Sequence, residues 1–102
     1  MTSPSKRKGN SFEREIVNLA KDWGFPSQRA YASNGESLGL HAEVDCTIGK
    51  DKITIQCKRR KKIASFLKCE NTDVVIFRED RGESLVLMPI DFFLTLLKKI
   101  EG

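Results

Sequence analysis

An α/β domain with a mixed five-stranded sheet flanked by helices is the fold class this chain predicts, from three observations. A segment near each end repeats apolar residues at helical spacing: Phe12, Ile16, Leu19, Ala20 and Trp23 at the start, and Ile90, Phe93, Leu94, Leu97 and Ile100 at the finish. Between them lie short runs rich in Val, Ile and Thr, bounded by Gly, Asp and Asn, as strands are. The length, 102 residues, suits one domain with a modest core that gains stability or working surface from a partner.

The elements follow in order. Residues 1–9 (MTSPSKRKG) are polar, basic and turn-rich. They read as a flexible basic arm, with the folded domain taken as 10–102. Asn10 or Ser11 caps a helix running to about Trp23; Gly24 stops it and Pro26 lies beyond its end. Residues 28–33 read as a short strand and 34–41 as a loop. Residues 43–48 and 52–58 read as two strands, joined by Gly49-Lys50-Asp51 into an antiparallel hairpin. Along the second strand Ile53, Ile55 and Cys57 point one way, and Thr54, Gln56 and Lys58 the other. Residues 61–69 read as a short amphipathic helix with Ile63, Phe66 and Leu67 inward. Strands at 73–77 and 84–88, turning around Asp80-Arg81-Gly82, lead to a final helix opened by Pro89.

Charge is unevenly spread. The net charge is +4, but from Lys50 to Lys62 seven basic residues face one acid, Asp51, and Lys6, Arg7 and Lys8 form a second cluster. From Glu70 onward acids outnumber bases seven to four. Such polarity fits one surface for a polyanion and another for a different partner. The three cysteines, Cys46, Cys57 and Cys69, form no CxxC pair. That argues against a disulfide framework or a zinc site and for reduced thiols in a cytoplasmic setting. No apolar run is long enough to span a membrane, and no signal segment is visible.

The chemistry concentrates at the hairpin. Asp45 is followed eleven residues later by Gln56-Cys57-Lys58, which runs into Arg59-Arg60-Lys61-Lys62. Hydrolysis of a phosphodiester with a metal's help needs hard oxygen ligands for Mg²⁺ and a group to position water. Asp45 offers a carboxylate, Gln56 an amide oxygen and Cys57 its main-chain carbonyl. Lys58, on the same strand face as Gln56, can orient the attacking water or offset charge on the phosphate. Glu13, in the expected first turn of the first helix, is the remaining acid, and a helix packed across the sheet brings it towards Asp45. The same residue also suits the electrostatics of a helix N-terminus. The run 59–62 at the start of the expected second helix is unfavourable to the helix dipole, a cost that bound phosphate relieves.

These residues resemble a known family. Lys8-Gly9, Phe12-Glu13-Arg14-Glu15, Gly24-Phe25, Arg29, Ser33, Asp45 and Gln56-Cys57-Lys58, in this order, look like the archaeal-type Holliday junction resolvases. Those belong to the restriction-endonuclease-like PD-(D/E)xK nucleases, and the resemblance covers about residues 8–62. It implies a restriction-endonuclease-like single domain with Glu13, Asp45 and Gln56 as metal ligands and Lys58 as the catalytic lysine. It further implies phosphate contacts from Arg14 and Arg29, and Ser33 in a loop beside the scissile strand. Mg²⁺ is the implied cofactor, with Mn²⁺ an acceptable substitute. Two positions depart from the family pattern: Gln56 stands for the usual Glu, removing one negative charge, and Val44 stands for the Pro before the aspartate.

The expected function is therefore resolution of four-way DNA junctions by paired nicks. Two cuts imply a homodimer, with the final helix and the strand around 74–77 supplying apolar interface. Lys6, Arg7, Lys8, Arg59, Arg60, Lys61 and Lys62 are the expected path for branched or duplex DNA. A restriction-type or repair nuclease acting on duplex DNA uses the same residues, and so does a DNA-binding module in which Gln56 marks a lost activity. An RNA-binding role is poorly served, because the chain lacks an aromatic stacking surface.

Overall fold

The structure is a computed structural model describing residues 4–31 and 34–102, with side chains from Ser11 onward. It divides into two compact units, Met1–Arg59 and Arg60–Gly102.

The first unit opens with helix α1 (Pro4–Asp22). It starts well before the expected cap at Asn10 or Ser11, so most of the stretch read as a flexible arm is helical. Proline is tolerated in a first turn because its missing N–H has no intrahelical partner there. Ser5, Lys6, Arg7 and Lys8 then carry no helix breaker before Gly9. The buried stripe is Glu13, Ile16, Val17 and Ala20, spaced i, i+3, i+4 and i+7. Phe12, Leu19 and Trp23 are only half-buried, so the inward face is rotated from the expected one and includes an acid. Glu13 lies in the middle of the helix, not in its first turn. Gly24, at φ +88°, ends the helix: its N–H reaches the Lys21 carbonyl, and the Phe25 N–H reaches that of Ala20, both at 2.9 Å. These are the paired bonds of a Schellman cap.

Strands β1 (Ser27–Arg29), β2 (Cys46–Ile48) and β3 (Ile53–Ile55) form an antiparallel sheet in that order. Arg29 and Ile55 flank Cys46 on either side. The central strand β2 is wholly buried, and α1 packs on β1 and β2. Ile16, Val17, Ala20, Phe25, Ala30, Val44, Cys46 and Ile48 make the core of this unit. The hairpin turns at Gly49, φ +92°, whose carbonyl accepts the Lys52 N–H at 3.1 Å. Between β1 and β2 a 3-10 turn, Gly35–Leu38, is capped by the Asn34 side chain. Gly35 is buried so tightly that a Cβ would overlap the His41 carbonyl oxygen and sit 2.8 Å from the Val44 Cβ.

In the second unit the expected helix at 61–69 is reduced to one 3-10 turn, Ser65–Leu67. Consecutive positive charges ahead of that turn oppose a longer helix. Strands β4 (Val75–Phe77) and β5 (Leu85–Leu87) pair antiparallel as a separate two-stranded sheet. Helix α2 (Ile90–Glu101) follows Pro89 as expected. Its stripe is buried at Leu94 and Leu97, while Ile100 is exposed. Phe66 meets Phe77 edge-on at 5.9 Å between ring centroids.

The mixed five-stranded sheet is thus replaced by two antiparallel sheets. Hairpins joined by short turns can pair only antiparallel, since a parallel pair needs a crossover of a dozen or more residues.

Candidate active site

Asp45 sits immediately before β2 and is only 7% exposed. Its carbonyl accepts the Ala30 N–H at 2.8 Å, and its own N–H donates to the Ile55 carbonyl at 2.8 Å. Ile55 is already the partner of Cys46, so two successive residues face one across the ladder. That is the arrangement of a β-bulge, which re-aims the side chain it carries. The re-aimed carboxylate accepts the Cys57 main-chain N–H at 2.6 Å through Oδ2. This short, charge-assisted bond takes the place of a ladder bond beyond the end of β3.

Glu13, 4% exposed, is held by α1 against the same sheet. Arg29, on β1, donates from Nε to Glu13 Oε2 at 3.3 Å. A buried carboxylate needs such a partner to remain charged. The pair forms because α1 packs on β1 and Glu13 occupies an otherwise apolar stripe.

Two thiols, Cys46 and Cys57, feel both acids. Cys46 and Cys57 share a hydrogen bond that holds the Cys57 thiol well above its ordinary pKa, with burial and the negative charges of Asp45 and Glu13 adding to the effect. The same bond lowers Cys46, against burial and the same two carboxylates. Both acids therefore act on one thiol pair, and they arrive from different elements. All three cysteines are free.

The structure brings together Glu13, Arg29, Asp45 and Cys57. It treats Gln56 and Lys58 differently. β3 ends at Ile55, short of the expected 58, and beyond it the Asp45 side chain, not the main chain of β2, takes the Cys57 amide. The alternation nevertheless continues: Gln56 and Lys58 are exposed and Cys57 is half-buried. Gln56 lines a shallow hollow with His41, Glu43 and Thr54. The bulge turns the Asp45 carboxylate to the Cys57 amide. Among the described residues no group of three or more His, Cys, Asp or Glu is placed to hold a metal ion.

Around this centre Arg14 and Arg59 are exposed. In the second unit Arg60, Lys61, Lys62, Ile63 and Lys68 line a basic hollow. Lys68 was not singled out by the sequence, and only its place after the 3-10 turn reveals it. Ser33 lies outside the described residues; Lys6, Arg7 and Lys8 lie on α1 with side chains outside them. Arg29, expected on a phosphate, engages Glu13.

No described helix is long and apolar enough to cross a membrane. Comparison with protein families finds a match over residues 4–91 to the model described as archaeal Holliday junction resolvase (Hjc). No curated protein and no solved structure matches the chain.

Proposed function

Since the chain belongs to the archaeal Holliday junction resolvase family, we propose that Glu13 and Asp45 form the acidic centre of its endonuclease site. The chain is a metal-dependent nuclease that resolves four-way DNA junctions. The observation that carries the assignment is the burial of two carboxylates from separate elements, Glu13 on α1 and Asp45 before β2, each tied to a group on the sheet side. Burying two acids is unfavourable unless cations or hydrogen-bond donors offset them.

The donor chemistry suits a hard divalent ion. The carboxylates of Glu13 and Asp45, the Gln56 amide oxygen and the Cys57 carbonyl are all oxygen donors, the set that Mg²⁺ takes, with Mn²⁺ a substitute. Such an ion, when bound, acts as a Lewis acid on the scissile phosphate. The chain's own residues do the rest. Arg29 orients Glu13 through their ion pair. The Cys57 amide fixes the Asp45 carboxylate, so the main chain of the Gln56-Cys57-Lys58 segment is tied to the acid. Lys58 extends beyond it with its ammonium free to face a phosphate, where it orients water and offsets developing charge. Arg14, Arg59, Arg60, Lys61 and Lys62, with Lys6, Arg7, Lys8 and Ser33, contact backbone phosphates and sugars, which gives binding without base specificity.

A restriction-endonuclease-like architecture goes with the family. Paired nicks call for a homodimer. Ile76 and Val86 support this: they are cross-strand partners on one face of the second sheet, and they are 66% and 56% exposed. Three free thiols fit a reducing, cytoplasmic setting.

The test uses labelled four-way junction and matched linear duplex, with Mg²⁺ or EDTA, alongside Lys58→Ala. Paired nicks in the junction are expected, absent with EDTA and reduced roughly 10²–10³-fold by Lys58→Ala. Tight junction binding with full cleavage by Lys58→Ala would remove the lysine from the mechanism. Cleavage of linear duplex as fast as of junction would remove the branched substrate.

A further inference from the structure

Tyr31 is the only tyrosine in the chain, and its side chain is 82% exposed. An aromatic ring left in water contributes little to stability, so its position calls for another account. That position is one residue past Ala30, whose N–H is bonded to the Asp45 carbonyl at 2.8 Å. It is two residues past Arg29, which holds Glu13. Tyr31 thus follows directly on the stretch, Arg29-Ala30, that is bonded to both acidic residues.

The tyrosine's main chain is fastened on both sides. Its N–H donates to Ser37 Oγ at 2.9 Å, and its carbonyl accepts the Asn34 N–H at 3.0 Å. Ser37 Oγ in turn donates to the Asn34 carbonyl at 3.0 Å. Asn34 also caps the 3-10 turn that carries Ser37. A small hydrogen-bonded frame therefore presents an uncovered aromatic face with its backbone already ordered. Pre-organisation of this kind lowers the entropy lost on binding.

We propose that Tyr31 is a specificity-determining residue whose ring stacks on a base exposed at the branch point of a four-way junction. The inference rests on the nuclease reading above and deepens it. Every base in a linear duplex is covered by its neighbours, whereas base stacking is interrupted at a branch point. An uncovered ring just past β1 then gains a stacking partner only on branched DNA. Phosphate contacts carry no information about the bases, and a stacking ring adds a reading of base exposure to them. The ring's face does the work, so phenylalanine should serve as well as tyrosine.

The test measures binding in EDTA, where no cleavage occurs, to a junction carrying 2-aminopurine at branch-point positions and to a matched linear duplex. Wild type, Tyr31→Phe, Tyr31→Leu and Tyr31→Ala are compared, with thermal melts to establish equal folding. Wild type and Tyr31→Phe should change the 2-aminopurine fluorescence and keep the junction preference. Tyr31→Leu and Tyr31→Ala should lose the signal and about tenfold of the preference. A leucine variant that keeps both overturns the stacking role, as does an alanine variant that does. A wild-type protein binding both DNAs equally would overturn the branched-substrate reading itself, and this inference with it.

Discussion

The two compact units handle unfavourable surface in opposite ways. The first, Met1–Arg59, buries polar groups: Glu13, Asp45 and Thr47 lie among Ile16, Val17, Ala20, Phe25, Cys46 and Ile48. Each of the two acids has a described partner there, Arg29 for Glu13 and the Cys57 amide for Asp45. The second, Arg60–Gly102, leaves apolar groups in water: Ile63, Phe66, Ile76, Leu85, Val86 and Ile100 are exposed, while Leu94 and Leu97 are its buried hydrophobics. The difference is one of layers. A helix packed on a three-stranded sheet can enclose charge, whereas a two-stranded sheet stripped of other covering is marginal in water. Chemistry therefore concentrates in the first unit, and a covering partner is called for by the second.

The largest effect that sharpens this contrast should come from Arg29→Ala. It takes away the cation on a buried carboxylate and should destabilise the protein by about 2 kcal/mol in urea titrations. Adding Glu13→Gln should recover part of the loss, because the neutral amide no longer needs the cation. No recovery on adding Glu13→Gln would mean that the first unit does not depend on partnering its buried acid.

Next in size is the second unit's bare face. Ile76→Glu should weaken self-association by at least about tenfold in sedimentation equilibrium, or about 1.4 kcal/mol. Secondary structure should be unchanged, since the residue is already exposed. An unaltered association constant would break the comparison, leaving the apolar face with no copy of the chain to cover it.

The smallest effect should be Lys68→Ala. Lys68 lines the basic hollow with Arg60, Lys61 and Lys62. Loss of one phosphate contact lowers the slope of log binding constant against log salt by about one, without changing sequence preference. A slope equal to wild type would place this lysine off the DNA path.

Much of the outline was legible before any coordinates. The Gly24 stop, the turn at Gly49, the strands at 75–77 and 85–87 and the helix opening after Pro89 all follow from local rules of φ preference and apolar period. So did the family resemblance, carried by Asp45, Gln56 and Lys58 in order. Other features had no local signal. Glu13 reads on its own as a solvated acid; only packing of α1 on β1 shows that it is buried with Arg29. The bulge at Asp45 leaves no mark in an alternating pattern, yet it decides that the carboxylate meets the Cys57 amide rather than Gln56. Ile63, Phe66 and Leu67 have helical spacing, but the charges before them and the brevity of the stretch allow a single 3-10 turn.

The amino-acid sequence by itself determined the α/β class, the order of the elements and the residue types available for cutting DNA, because periodicity, turn chemistry and composition are local properties. The tertiary structure alone decided which of those residues meet. Burial, pairing and the aim of a carboxylate depend on groups far apart in the chain: Arg29 and Glu13 across a helix–sheet contact, and Asp45 and Cys57 across a bulged hairpin.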